Sequence, residues 1–184
     1  MNKSDGGVTG SWVKWSTIAI LGFVAMAGVV LIVLPARKPP REEKVIENFN
    51  THRPAYERLR TMLLADDQLL RVAEWGVETD SPVGTHHPPE GGFSADRYHE
   101  YLSLLKEVGA IGASRGRRGE HDEDACVLVW AAGWAGDTRH VATCWLEHEP
   151  PNQVASLDTF YRTPKPRHPV FRHIDGNWYL WADW

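Results

Sequence analysis

Two cysteines and a handful of histidines are the residues from which catalytic or covalent chemistry in this 184-residue chain would have to be built. Cys126 and Cys144 flank the segment Gly133-Trp134-Ala135-Gly136-Asp137, which has the composition of a turn between two strands. If that hairpin is centred on Ala135, the two cysteines face each other directly. Their β-carbons would then lie about 4.5–5.5 Å apart, within reach of a disulfide. Two small buried thiols fit the same pattern, and a one-residue shift of the turn would send the side chains to opposite faces. A bridge would require an oxidising compartment such as the bacterial periplasm. No CxxC pair occurs, so dithiol redox chemistry is not favoured.

The histidines give less. His86-His87 precedes Pro88-Pro89, and His121 lies in the acidic run from Gly119 to Asp124. Contiguous loop residues do not converge on one ion without a defined turn, and neither an EF-hand nor an HExxH spacing is present. The acidic run reads as a solvated loop opposite Arg115, Arg117 and Arg118, and no metal or other cofactor is expected. His86, His87 and His121 are the alternative ligand set. Nucleophilic catalysis needs a serine or cysteine on a strained turn with a base in reach; none is expected, and Cys126 falls in the middle of a strand. His140 and Cys144 share a face of one strand, but four residues at about 3.4 Å each keep them from touching. Asp66 and Asp67 read as the end of a helix, since neighbours on a helix point in different directions.

The C-terminal run Trp178-Tyr179-Leu180-Trp181-Ala182-Asp183-Trp184 alternates, placing Trp178, Leu180, Ala182 and Trp184 on one face and Tyr179 and Trp181 on the other. One face must be core. Left uncovered, Tyr179 and Trp181, with Trp130 or Trp145 nearby, would form an aromatic patch suited to a protein partner. With both faces covered, the same residues would be structural.

The elements that must position these residues read as α+β. Val45, Ile46 and Phe49 make a first helical turn or two. Tyr56, Leu59, Met62 and Leu63 continue at helical spacing, with Asn50 or Thr51 as cap and Pro54 in the first turn. The stretch LLRVAEWGVET reads as one strand. A further helix runs from a Ser94 cap through Glu107, with Tyr98, Tyr101, Leu102, Leu105 and Val108 on one face and Gly109 as its stop. Residues 112–124 read as a charged loop. Strands at 125–132 and 138–147 follow, and then a hairpin of 170–174 with 178–182 about Asp175-Gly176, a type I′ turn signal. The expectation is two or three helices followed by a C-terminal antiparallel meander in a single domain, 45–184, large enough to need no metal or disulfide for its core.

Ahead of that domain, residues 15–34 are uncharged and about as long as the roughly 20 helical residues that cross a bilayer. Lys14 closes one end, Pro35 with Arg37 and Lys38 the other, and Trp12 and Trp15 stand where an aromatic belt lies. The expectation is a short tail at 1–14, a single transmembrane helix at 15–34 and a Pro-rich charged spacer at 35–44. Lys and Arg counts on the two sides favour a cytoplasmic domain, whereas a short tail with a positive charge directly before the apolar run is the layout of an exporting signal anchor. The cysteine pair tips the reading towards a periplasmic or extracytoplasmic domain. A net charge of -4 gives no basic footprint for nucleic acid. Two function classes follow. One is a non-enzymatic interaction or accessory protein of the bacterial cell envelope, with the bilayer and a protein as partners. The other is a membrane-tethered hydrolase or metal-dependent enzyme using the His-rich and acidic loops.

Overall fold

The computed structural model describes residues 38–80, 84–89, 93–116, 124–134, 137–160 and 169–183. Segment 15–34, His121 and Trp184 lie outside the described residues, among which no helix is long and apolar enough to cross a membrane. The described part is α+β, with helices on an antiparallel sheet.

Helix α1 (Glu42–Thr51) buries Val45 and Phe49, one turn apart, and α2 (Arg53–Ala65) buries Tyr56, Leu59, Met62 and Leu63. Both faces follow from apolar spacing of three and four. The break between the helices falls at His52, which serves as C-cap of α1 and N-cap of α2 without a side-chain cap bond. Neither Asn50 nor Thr51 is the cap. Pro54 fixes the break because it fits only the first turn of a new helix.

The run LLRVAEWGVET is two strands, not one: β1 (Leu69–Ala73) and β2 (Gly76–Thr79) pair around Glu74-Trp75. Gly76 has φ +131, and a Cβ there would come within 2.5 Å of the His86 carbonyl oxygen on β3 (Thr85–His86). Helix α3 (Ala95–Glu107) starts at Ser94, whose Oγ accepts from the Arg97 amide at 3.3 Å. It ends at Gly109, φ +64, in a Schellman motif: the Ala110 amide donates to Leu105 and the Gly109 amide to Lys106.

Residues 112–115, expected in a loop, are strand β4 (Gly112–Arg115) between β1 and β5. Strands β5 (Ala125–Trp134) and β6 (Asp137–Trp145) form the long hairpin, its boundaries two residues or fewer from those expected. A short helix α4 (Leu157–Phe160) precedes the last hairpin, β7 (Val170–Asp175) with β8 (Trp178–Asp183). In that hairpin Asp175 pairs with Trp178, so Gly176-Asn177 is the loop. Gly176 has φ +55 and Asn177 no positive φ, which departs from the type I′ geometry that a loop at Asp175-Gly176 implied.

The eight strands run β3-β2-β1-β4-β5-β6-β8-β7, every pair antiparallel. The sheet therefore starts well before the C-terminal meander. The helices lie against one face. Phe49, Tyr56 and Trp178 meet there with ring centroids 5.1–6.1 Å apart, and Trp178 Nε1 donates to Glu57 at 2.9 Å. The Tyr101 hydroxyl and Arg97 Nε both donate to Asp66, each at 2.8 Å.

Glu42 ties the start of α1 to the far end of the chain. Its carboxylate accepts from Ser156 Oγ at 2.9 Å and the Leu157 amide at 2.7 Å, and pairs with Arg172 on β7. Burial alone would raise this carboxyl, but the bonds from Arg172, Ser156 and Leu157 outweigh it and hold it below its ordinary value. Burial also pushes the Tyr56 hydroxyl up to about 12, against a smaller opposing effect of Thr143.

Candidate functional site

The other face of the sheet carries its own apolar cluster, of Ala142, Cys144, Leu146 and Tyr179 with Cys126, Leu128, Phe171 and Trp181 around it, and no helix residue belongs to it. Strand alternation explains the division. One row of paired residues crosses six strands, Ala73–Gly112–Leu128–Ala142–Trp181–Phe171, and its side chains share this face. The next row, Val72–Ala113–Val127–Thr143–Leu180–Arg172, turns to the helices.

A groove of about 720 Å³ lies on this helix-free face, within the size range of small-ligand pockets. It exists because the floor positions are small: Ala73, Gly112, Ser114, Ala131 and Ala142 leave space between larger side chains. Trp75 and Ile111 stand along its margin, the two large hydrophobic residues left well exposed among those described, at 45% and 46%. Arg71 reaches Glu78 through Nη2 at 2.6 Å and Nε at 3.1 Å, and its guanidinium lies 5.5 Å from the Trp75 ring. His140 Nδ1 meets Asp183 Oδ1 at 2.9 Å and, because a carboxylate can only accept, donates to it. The His140 ring stacks on Trp181 with centroids 6.0 Å apart.

Cys126 and Cys144 are bonded on this face, with Cα atoms 4.0 Å apart. That spacing is nearer the roughly 4.5 Å of a non-hydrogen-bonded antiparallel pair than the ~5.5 Å of a hydrogen-bonded one. Cys126 contributes to the groove lining, while Cys144 is fully buried. The register here has a structural condition. Near the turn Trp134 pairs with Asp137 and Gly133 with Thr138, so a straight ladder would set Cys126 opposite Trp145 rather than Cys144. A bulge between Leu128 and Trp130 takes up one residue and brings Cys126 opposite Cys144.

Tyr179 and Trp181 both fall on the helix-free face, but Tyr179 is buried with its ring 5.2 Å from His173, and only Trp181 lines the groove. Trp130 and Trp145 do not join them. Trp145 pairs with Trp178 and lies under the Arg60 guanidinium, 3.9 Å from its ring, on the helix side. Trp130 packs against the cluster of Val45, Val141 and Leu157, sent there by the bulge. His86 is buried at the β3 edge with Nδ1 2.9 Å from the Gly84 carbonyl oxygen, and His87 is exposed. Neither lines the groove, and no group of three or more His, Cys, Asp or Glu side chains that could hold a metal occurs among the described residues.

Sequence reasoning missed Trp75, Ile111, Arg71 and Glu78. The glycine after Trp75 was the available signal, because a glycine inside an alternating run marks a turn or a close backbone approach. It also passed over Gly112-Ala113-Ser114-Arg115-Gly116, which has the GxSxG spacing of a nucleophile elbow. The spacing lacks its structural context. Ser114 pairs with Arg71 and Cys126 inside the sheet instead of standing on a strand-to-helix turn. Ser114 is among the residues lining the groove, but on the Cys126 row, whereas His140 pairs with Ala131. The two are separated by two strands and by about 13 Å along the strand direction, too far for a base to reach a nucleophile. Comparison with protein-family models, with curated proteins and with solved structures finds no match to this chain.

Proposed function

We propose that this chain is a single-pass, membrane-anchored interaction domain of the bacterial cell envelope, without catalytic activity, whose groove on the helix-free face receives an extended segment of a protein partner. The observation that carries this reading is the groove itself, with a small-residue floor and Trp75, Ile111 and Trp181 about it. Partner-binding surfaces are enriched in such aromatic anchors, flanked by polar groups that fix register, here Arg71, Glu78 and His140. The anchor is residues 15–34, followed by a spacer that ends where α1 begins at Glu42, three residues before the boundary expected from the sequence. The Cys126–Cys144 bridge supports a periplasmic or extracytoplasmic domain, since such bonds persist in oxidising compartments.

A hydrolase is the second reading, favoured by one observation, the oriented His140–Asp183 pair beside the groove. Its weakness is the separation of His140 from Ser114.

The test is a photo-crosslinker placed at Ser114 in the full chain, expressed in intact bacteria. A discrete protein adduct that disappears when Leu128→Arg blocks the floor, with the folded yield unchanged, supports the interaction reading. An adduct pattern indifferent to Leu128→Arg, or ester hydrolysis by the purified chain that His140→Ala abolishes, overturns it.

A further inference from the structure

We propose that the groove is a site of thiol–disulfide exchange, at which a cysteine thiol carried on a peptide adds to Cys126 and expels Cys144. The chemistry needs the oxidised bridge and an open groove, and it stands whether or not the groove also receives a protein segment by noncovalent contact.

A thiolate attacks one sulfur of a disulfide along the line of the bond it breaks, and access to each sulfur decides between them. The bridge runs from β5 to β6. Its row of paired residues on the helix-free face is Arg71–Ser114–Cys126–Cys144–Tyr179–His173. The line of attack on Cys126 therefore comes in over Ser114 on β4, and the line of attack on Cys144 over Tyr179 on β8.

These two approaches differ. On the β8 side Tyr179 is buried, with the His173 ring 5.2 Å beyond it. Ala142 and Leu146, two residues before and after Cys144, are buried as well, and Cys144 itself is fully enclosed. On the β4 side Ser114 and Gly112 are small, and both line the groove together with Cys126. Arg71, next along the row, is exposed and drawn towards β2 by its two bonds to Glu78, away from Ser114. The small floor residues that make the groove are thus the ones that leave Cys126 open from behind, while aromatic packing closes off Cys144.

In the exchange the incoming sulfur bonds to Cys126 Sγ, the Cys126–Cys144 bond breaks, and its electron pair goes to Cys144 Sγ. The proton given up by the incoming thiol ends on Cys144, because burial disfavours a free thiolate there. One disulfide is consumed and one is formed, so no outside oxidant or reductant takes part. At about 720 Å³ the groove has room for residues that flank a cysteine as well as for its thiol. The Cys144 thiol then stands beside the new bond and reverses the capture by attacking Cys126.

The test incubates the oxidised full chain in detergent with reduced glutathione, a tripeptide thiol, at mildly alkaline pH. Early samples are quenched in acid, which stops back-attack by Cys144, then digested with pepsin and mapped by mass spectrometry. Glutathione is expected on Cys126 about tenfold more often than on Cys144, at a rate proportional to glutathione and unchanged by urea below the unfolding transition. Ser114→Leu sets a branched side chain across the line of attack and should slow loss of the bridge about tenfold. Equal labelling of the two cysteines, a preference for Cys144, no adduct, or a rate that rises with urea in step with unfolding overturns the site. A Ser114→Leu chain that folds and reacts as fast as wild type overturns it too; if that variant does not fold, the labelling pattern of the wild-type chain decides.

Discussion

On the helix-covered face of the sheet Phe49, Tyr56 and Trp178 touch one another, and polar atoms end in fixed partners: Trp178 in Glu57, Tyr101 and Arg97 in Asp66. On the other face the floor is alanine, glycine and serine, and the polar groups pair at the surface as Arg71–Glu78 and His140–Asp183. An exposed pair such as Arg71–Glu78 contributes at most about 1 kcal/mol, so stability does not explain it. The first face holds the fold in one arrangement. The second keeps volume and hydrogen-bonding capacity that the fold itself does not consume, and its apolar cluster is held by a covalent bond where the first is held by packing.

The contrast breaks most directly at the two tryptophans of β8. Trp178→Ala removes a buried ring and should cost about 3–5 kcal/mol, while Trp181→Ala, on a half-buried ring, should cost less than about 1.5 kcal/mol. Urea unfolding of the full chain in detergent measures both, and equal losses would mean that the faces do not differ as described. Next in size is the bridge. Replacing both cysteines by serine opens a loop with a sequence separation of 18 and should lower stability by about 3 kcal/mol, read as a drop in Tm that reductant reproduces in the wild-type chain.

Glu42→Gln leaves Arg172 without its counter-charge and should cost about 2 kcal/mol at neutral pH. The folded-state value of this carboxyl lies below the ordinary 4.5, so its contribution is complete above 4.5 and is lost as the pH falls through the lower folded value. The gap between wild type and variant should therefore narrow in acid, which unfolding curves from pH 6 to pH 3 would show; a constant gap would contradict the assignment. The smallest effect is expected at Arg71→Gln, within about 0.5 kcal/mol, because the Arg71–Glu78 pair is exposed. A larger loss by the same unfolding measurement would make the groove margin part of the fold.

Legibility followed the range of the signal. Helix α3 was readable end to end because Ser94 and Gly109 are local devices. Strand β4 was not, because Gly-Ala-Ser-Arg has no apolar alternation and becomes a strand only through β1 and β5 on either side. The β1–β2 hairpin was hidden because Glu74-Trp75 lacks the usual turn residues. The cysteine pairing was reached from a turn placed symmetrically on Ala135, whereas the ladder near the turn is offset and realigned further along. The groove was not legible at all, since its floor is assembled from small residues on several strands, and the one motif among them, around Ser114, is a spacing without the turn that gives it meaning.

The bulge at residue 129 behaves like a shift of reading frame within β5. Up to Leu128 the even-numbered residues face the groove; beyond it the odd-numbered ones do, so that Ala131 reaches the floor and Trp130 is read into the helix side. In an unshifted frame the indole of Trp130 would occupy the space that Ala131 leaves open, and the groove would be filled from within. One extra residue therefore sets both whether Cys126 and Cys144 meet and whether there is a vacancy beside them, which couples the covalent tie and the groove to the same insertion.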